Sequence, residues 1–118
     1  MSPIGGLGAW GEELAIKFLL RQGLRIVERN FYTTAGEIDI VAEKGGDFYF
    51  VEVKTRLDKE LATDLAITYA KRRKLNKTIK RYCYERKIAG GVGLILAAVI
   101  VFPDRLKKTV RLRWVVLR

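Results

Sequence analysis

Apolar and polar positions follow two different periods along this chain. From residue 9 to residue 22 the period is helical: at ~100° per residue, Leu14, Ala15, Ile16, Phe18, Leu19 and Leu20 sweep a wide apolar arc, and Glu13, Lys17 and Arg21 form the polar stripe. Glu13 and Lys17 are spaced for an i,i+4 pair, and Gly23 is a suitable stop. Glu12 is the exception, because it falls in the middle of the apolar arc.

Beyond Gly23 the period drops to two. Residues 25–30, 37–43 and 48–55 read as strands, and the turn at Gly45-Gly46-Asp47 joins the second and third into an antiparallel hairpin. Residues 56–66 lack clean periodicity and read as a loop or a short helical piece. Helical spacing returns from about Thr68 to Lys87, with Leu75, Ile79, Tyr82 and Cys83 on the apolar stripe and Gly90-Gly91 ending it. Leu94 to Phe102 is apolar throughout, as befits a strand at the centre of a sheet. Pro103-Asp104 reads as a turn. Residues 108–117 then alternate, Val110, Leu112, Trp114 and Val116 facing one way and Thr109, Arg111 and Arg113 the other, as on an edge strand with one wet face.

The order is α-β-β-β-α-β-β, and the helix between the third and fourth strands implies a right-handed parallel crossover. These patterns predict an α/β fold with a mixed central sheet of about five strands flanked by helices. With no internal repeat and no Pro/Ser-rich linker, residues 1–118 read as a single domain.

Side-chain alternation gathers chemistry on the central hairpin. Phe48, Phe50, Glu52 and Lys54 share one face of the third strand; Glu37, Asp39 and Val41 share one face of the second. The two phenylalanines mark a covered face, where a Glu and a Lys are costly without partners. The hairpin can set Asp39 beside Glu52, and Glu12 can point into the same region from the first helix. Taken alone, a Glu and a Lys two apart on a strand are more often a solvated face. Glu12 equally suits a helix N-terminus, where a carboxylate stabilises the dipole. Glu37 reads as a supporting residue behind the carboxylates or as a surface charge.

Composition changes how that cluster is read. The chain carries 23 Lys and Arg against 13 Asp and Glu, a net charge of +10, which favours a polyanionic partner, either nucleic acid or an anionic membrane surface. No apolar run approaches the ~20 residues of a membrane span, so no membrane partner is expected. There is no histidine, which excludes Ser-His-Asp triads and histidine bases, and one cysteine, Cys83, makes a zinc site improbable. The single cysteine and the absence of a signal-like N-terminus fit a soluble cytoplasmic protein. A hard metal ion remains. Mg²⁺ or Mn²⁺ takes oxygen ligands and keeps several waters: Asp39 and Glu52 supply carboxylates, the Val53 carbonyl a third oxygen, and Lys54 can orient a water or stabilise developing charge.

The second helix crowds Lys71, Arg73, Lys74, Lys77 and Lys80 with no acidic residue among them until Glu85, so i,i+4 pairing does not explain the charge and phosphate contacts do. Arg56, just past the third strand, is a candidate phosphate clamp. Trp10, Trp114 and Tyr82 read as packing residues.

Three segments carry a resemblance: Gly11-Glu12-Glu13-Leu14-Ala15, Gly36-Glu37-Ile38-Asp39-Ile40-Val41-Ala42, and Phe50-Val51-Glu52-Val53-Lys54-Thr55-Arg56. The spacing of Asp39 and Glu52-Val53-Lys54 resembles the P-D-(D/E)-x-K nuclease superfamily, with its restriction-endonuclease-like fold. The three together resemble the YraN family of endonuclease-like proteins, which is related to archaeal Holliday-junction resolvases. The resemblance implies that Glu12, Asp39, Glu52 and Lys54 take the four active-site positions, that the substrate is DNA, structured or branched, and that the protein pairs as a homodimer. Two departures stand out: Ile38 replaces the superfamily's proline, and Gly93-Leu94-Ile95-Leu96 replaces the family's Arg-Phe-Asp at the fourth strand. A nucleic-acid-binding module of this fold without turnover, or a basic ribonucleoprotein component, are the competing readings.

Overall fold

The computed structural model describes residues 6–56 and 69–117, with side chains of the second helix described from Arg72 onward. The elements are α1 (Gly6–Arg21), β1 (Arg25–Thr33), β2 (Gly36–Lys44), β3 (Asp47–Thr55), α2 (Tyr69–Glu85), β4 (Leu94–Asp104) and β5 (Thr109–Val116). This is the expected order. The strands form one sheet in the order β1-β2-β3-β4-β5, antiparallel throughout except for the parallel β3–β4 pair, and β5 is an edge as its wet face predicted. The segment 57–66, expected to be a loop or short helical piece, lies outside the described residues.

Each helix covers one face, because alternating strand residues supply two separate apolar sets. Ala15 and Leu19 of α1 pack with Ile40, Ala42, Val51, Val99 and Val101. Leu75, Ile79 and Tyr82 of α2 pack with Phe31, Ile38, Val41, Phe50 and Leu96. Burying each large side chain of this kind stabilises the fold by roughly 1.5–3 kcal/mol. Tyr82, 1% exposed, meets Phe31 and Phe50 edge-on at centroid distances of 5.0 and 5.7 Å, the arrangement ring quadrupoles prefer. Leu94 to Phe102 forms the sheet's apolar spine, and burial is complete at Ala97, Val99, Ile100 and Val101.

Four expectations are corrected. β1 does not end at Asn30 but pairs with β2 as far as Thr33↔Gly36; Asn30 adopts φ 53°, which an Asn tolerates, so a residue that resembles a stop is a kink inside the strand. β4 runs through Pro103 and Asp104, which pair with Val110 and Thr109. The β3 pairing stops at Val101, so the N–H that Pro103 lacks faces a side with no strand to receive it. The turn falls later, where Asp104 Oδ1 accepts from the Leu106 and Lys107 N–H groups at 3.1 Å each. Trp10 is 41% exposed rather than packed. On β5, Leu112 and Trp114 pack as expected, with Trp114 against Phe18 and Tyr49, whereas Val110 and Val116 are exposed.

Candidate active site

The sheet forks at its centre. β2 and β3 pair from Lys44↔Asp47 up to Ile40↔Val51 and no further. Beyond that point β2 stays with β1, through Ile38 and Glu37, while β3 stays with β4 through Thr55. One step past the last pair, the register sets Asp39 opposite Glu52. Asp39 fills the fork: its Oδ2 accepts the Val53 N–H at 2.8 Å. A strand residue's N–H and C=O point the same way, so the Val53 carbonyl also projects into the fork.

Lys54 and Glu52 share one face of β3, as their spacing predicted, and α2 lies on that face; Lys54 Nζ is 3.5 Å from Glu52 Oε2. They line a cleft of about 170 Å³ with Ala35, Glu37, Lys74 and Thr78. Two local features close its back. The Thr78 side chain is fully buried and its hydroxyl donates to the Lys74 carbonyl at 2.8 Å. Gly36, at φ 152°, passes so near that an added Cβ would sit 3.3 Å from Thr78 Oγ1. On the opposite face Gly11 lets α1 press against the end of β3, since a Cβ there would overlap Thr55 Oγ1. That contact brings the next residue, Glu12, to the end of the fork.

Electrostatics tie these groups together. Burial pushes the Asp39 carboxyl from 3.8 to about 6; the Val53 hydrogen bond opposes the rise, and the charges of Glu52, Glu12 and Glu37 add to it. Glu12 is also raised, chiefly by burial, against the pull of the Arg29 guanidinium. Arg29 Nη2 lies 3.9 Å from Glu12 and 2.8 Å from Glu13, so Glu13 is the surface charge its helical phase suggested. The Tyr32 hydroxyl is raised mainly by the charge of Glu37, its partner across the β1–β2 ladder. Burial raises the Cys83 thiol, which leaves it a poor nucleophile.

The expected residues therefore divide. Asp39, Glu52 and Lys54 lie at the fork, Glu12 and Glu37 are near enough for their charges to raise the Asp39 carboxyl, and Lys74 joins from α2. Lys77 lines an adjoining cleft with Tyr32 and Arg81. Arg73 and Lys80 are exposed on α2 but line neither cleft, and the side chain of Lys71 lies outside the described residues. Arg56 continues β3, donating its N–H to Val101 O at 2.9 Å and its Nη1 to Thr55 O at 3.2 Å. Arg29 and Tyr32 were not anticipated: both sit on β1, and the strand's apparent stop at Asn30 hid the alternation that places Tyr32.

Among the described residues no three acidic or thiol side chains gather into a ready-made cation cage. The fork instead offers two carboxylates, a backbone carbonyl and a net excess of negative charge around a half-desolvated Asp39. That donor set fits Mg²⁺ or Mn²⁺, which are commonly held by one or two carboxylates with waters and phosphate oxygens completing the shell.

A mixed five-stranded sheet between two helices, forked around an Asp, a Glu and a Lys, defines an α/β protein. Residues 11–109 match the uncharacterised protein family UPF0102, and the chain belongs to that family. This is the YraN family expected from the three motifs, and its assignment is to the nuclease superfamily. The chain is similar to the UPF0102 protein of Sulfurimonas denitrificans, 44% identical over 99 residues that cover 84% of this chain and 88% of the relative. It is similar to that of Thermodesulfovibrio yellowstonii, 47% identical over 77 residues, 64% of this chain and 69% of the relative. The UPF0102 protein of Syntrophomonas wolfei is 58% identical over 50 residues, 42% of this chain and 44% of that relative's length. No helix among the described residues is long and apolar enough to cross a membrane.

Proposed function

We propose that this protein is a metal-dependent endonuclease that hydrolyses phosphodiester bonds in DNA, with structured or branched DNA as the preferred form. The observation that carries the reading is the convergence of Asp39, Glu52 and Lys54 at the fork, in a chain of net charge +10. Asp39, Glu52 and the Val53 carbonyl would hold Mg²⁺ or Mn²⁺, which when bound neutralises phosphate charge and acidifies a coordinated water. Lys54, beside Glu52, is placed to orient the attacking water and to stabilise charge that develops on the phosphate. Glu12 adds negative charge at the metal side of the fork, and Arg29 limits it. Glu37, exposed on the wall of the cleft, adds a further negative charge beside the carboxylates. Lys74 brings a phosphate-binding charge to the same cleft. Arg56, Lys77 and, on the basic helix, Arg73 and Lys80 extend the surface for the DNA backbone.

The test is cleavage of single-stranded, duplex and four-way-junction DNA by the purified protein with Mg²⁺ or Mn²⁺. Metal-dependent cleavage lost in Glu52→Ala and in Lys54→Ala is the expected result. Cleavage that survives both substitutions would falsify the assignment of the site. A second reading, a DNA-binding module without turnover, rests on the net charge of +10, which would hold a nucleic-acid backbone without any metal. It predicts salt-dependent binding that neither Mg²⁺ nor Asp39→Asn alters.

A further inference from the structure

A second cleft, of about 330 Å³, lies between the turn of the β1–β2 hairpin, residues 32–35, and Lys77, Arg81 and Glu85 of α2. It adjoins the fork directly: Ala35 lines both clefts, and Tyr32 pairs across the ladder with Glu37, which lines the first. Lys74 belongs to the inner cleft and Lys77, three residues on and about 4.5 Å further along the helix, to the outer one. A chain leaving the fork meets Lys74 in the inner cleft and then Lys77 in the outer one.

The outer cleft also presents an aromatic face. Tyr32 is 68% exposed, while its neighbour Phe31 is buried against Tyr82, so the ring of Tyr32 contributes little to the core. The turn beneath it is held rigid by Thr33, whose Oγ1 accepts the Ala35 N–H at 3.0 Å and donates to Gly36 O at 3.2 Å. Among the described residues Glu85 is the one acidic side chain in the lining, and its charge is engaged by Arg81 at 2.5 Å and Arg86 at 3.7 Å. An exposed ring on a rigid turn beside a lysine is the arrangement that binds single-stranded nucleic acid, the ring stacking on a base and the cation meeting the phosphate. In an intact duplex the base faces are covered by their neighbours, so only an unpaired or splayed base can reach the ring.

We propose that this cleft is a subsite for an unpaired nucleotide flanking the phosphate bound at the fork, with Tyr32 stacking on its base and Lys77 contacting its phosphate. The subsite rests on the reading of the fork as a phosphodiester site, and it makes single-stranded segments or unpaired flaps, rather than continuous duplex, the preferred substrate class.

The experiment measures fluorescence anisotropy of a short labelled oligothymidylate and of a blunt duplex, both in EDTA, with wild type, Tyr32→Ala, Tyr32→Phe and Lys77→Ala. The expected result is that Tyr32→Ala weakens oligothymidylate binding by roughly tenfold, the scale of one lost stack, and changes duplex binding by less than about twofold. Tyr32→Phe keeps the affinity, which shows that the ring rather than the hydroxyl or the fold is at stake. Lys77→Ala weakens both probes and lowers the salt dependence by about one phosphate. An oligothymidylate affinity unchanged in Tyr32→Ala, an equal loss on the duplex, or a wild-type protein that binds neither probe overturns the subsite. Cleavage with Mn²⁺, assayed in parallel, separates the two ideas. Tyr32-dependent single-strand binding without cleavage retains the subsite and rejects hydrolysis, whereas cleavage with binding indifferent to Tyr32 does the reverse.

Discussion

Asp39 Oδ2 accepts the Val53 N–H at 2.8 Å, a side chain taking the place of a ladder bond where β2 and β3 part. The bond ties one half of the sheet to the other and holds a half-buried carboxyl among three further acidic groups.

That arrangement has a pH signature in metal-free buffer. Asp39 titrates at about 6 in the fold against 3.8 ordinarily. Between those values the folded protein binds the proton more tightly than the unfolded chain does. Its contribution is therefore most favourable when protonated and is lost as pH rises from about 4 to 6, leaving the ionised group costing about 3 kcal/mol. Asp39→Asn keeps an acceptor for the Val53 N–H, so it raises stability at about pH 8 by roughly 1–3 kcal/mol and gives no gain below about pH 4. Urea unfolding across that range checks it, and an equal gain at both ends contradicts it.

Lys54 and Glu52 form a pair 3.5 Å apart beside the proposed cation position. Lys54→Gln removes a like charge from that position, so Mg²⁺ binding measured by calorimetry tightens, by up to about fivefold for a partly exposed pair of this kind. Cleavage by the same variant falls by roughly 10²–10³, the scale of one lost electrostatic contact in a transition state. Weaker metal binding in Lys54→Gln would show that the lysine supports the carboxylates rather than the phosphate.

Gly36 combines an unusual backbone angle with a close approach to a buried hydroxyl. Gly36→Ala destabilises the protein by about 1–3 kcal/mol, because the strain lies in the main chain. Adding Thr78→Ala to make room recovers little of that loss. Thermal unfolding of the single and double variants decides between backbone strain and simple crowding.

Lys74 lines the cleft that holds Glu52 and Lys54, whereas Lys80 does not. Lys74→Ala lowers the slope of log affinity against log salt by about one for DNA of any sequence. Lys80→Ala, on the outer surface, has a smaller effect on the slope. Identical slopes for the two variants would argue for a diffuse basic surface with no track through the cleft.

Most of the site was legible because it depends on local rules. Alternation put Asp39, Glu52 and Lys54 on one face, the Gly45-Gly46 turn set the register, and helical phase singled out Glu12 from Glu13. The missing parts depend on how strands continue past residues that ordinarily interrupt them. Asn30 and Pro103 both carry stop signals, and both are absorbed, the first by a left-handed kink and the second by a neighbour that has already ended. Losing the last residues of β1 meant losing Tyr32 and the cleft beneath it. Trp10 was misplaced for a different reason: apolar residues along a helix do not by themselves say how far the sheet beneath extends.

The fork also divides the sheet mechanically. Past Ile40 the β1–β2 hairpin is a two-stranded ribbon, held at its root by the other strands and resting on α2 near Thr78. Two-stranded ribbons twist and bend more readily than wider sheets. The hairpin tip thus reaches the active cleft as a two-stranded extension, anchored through Phe31 and Ile38 on α2 rather than by a third strand. Amides of Thr33 to Glu37 accordingly exchange with solvent faster than those of Ile40 to Ala42, and a bound strand that props against the tip slows them.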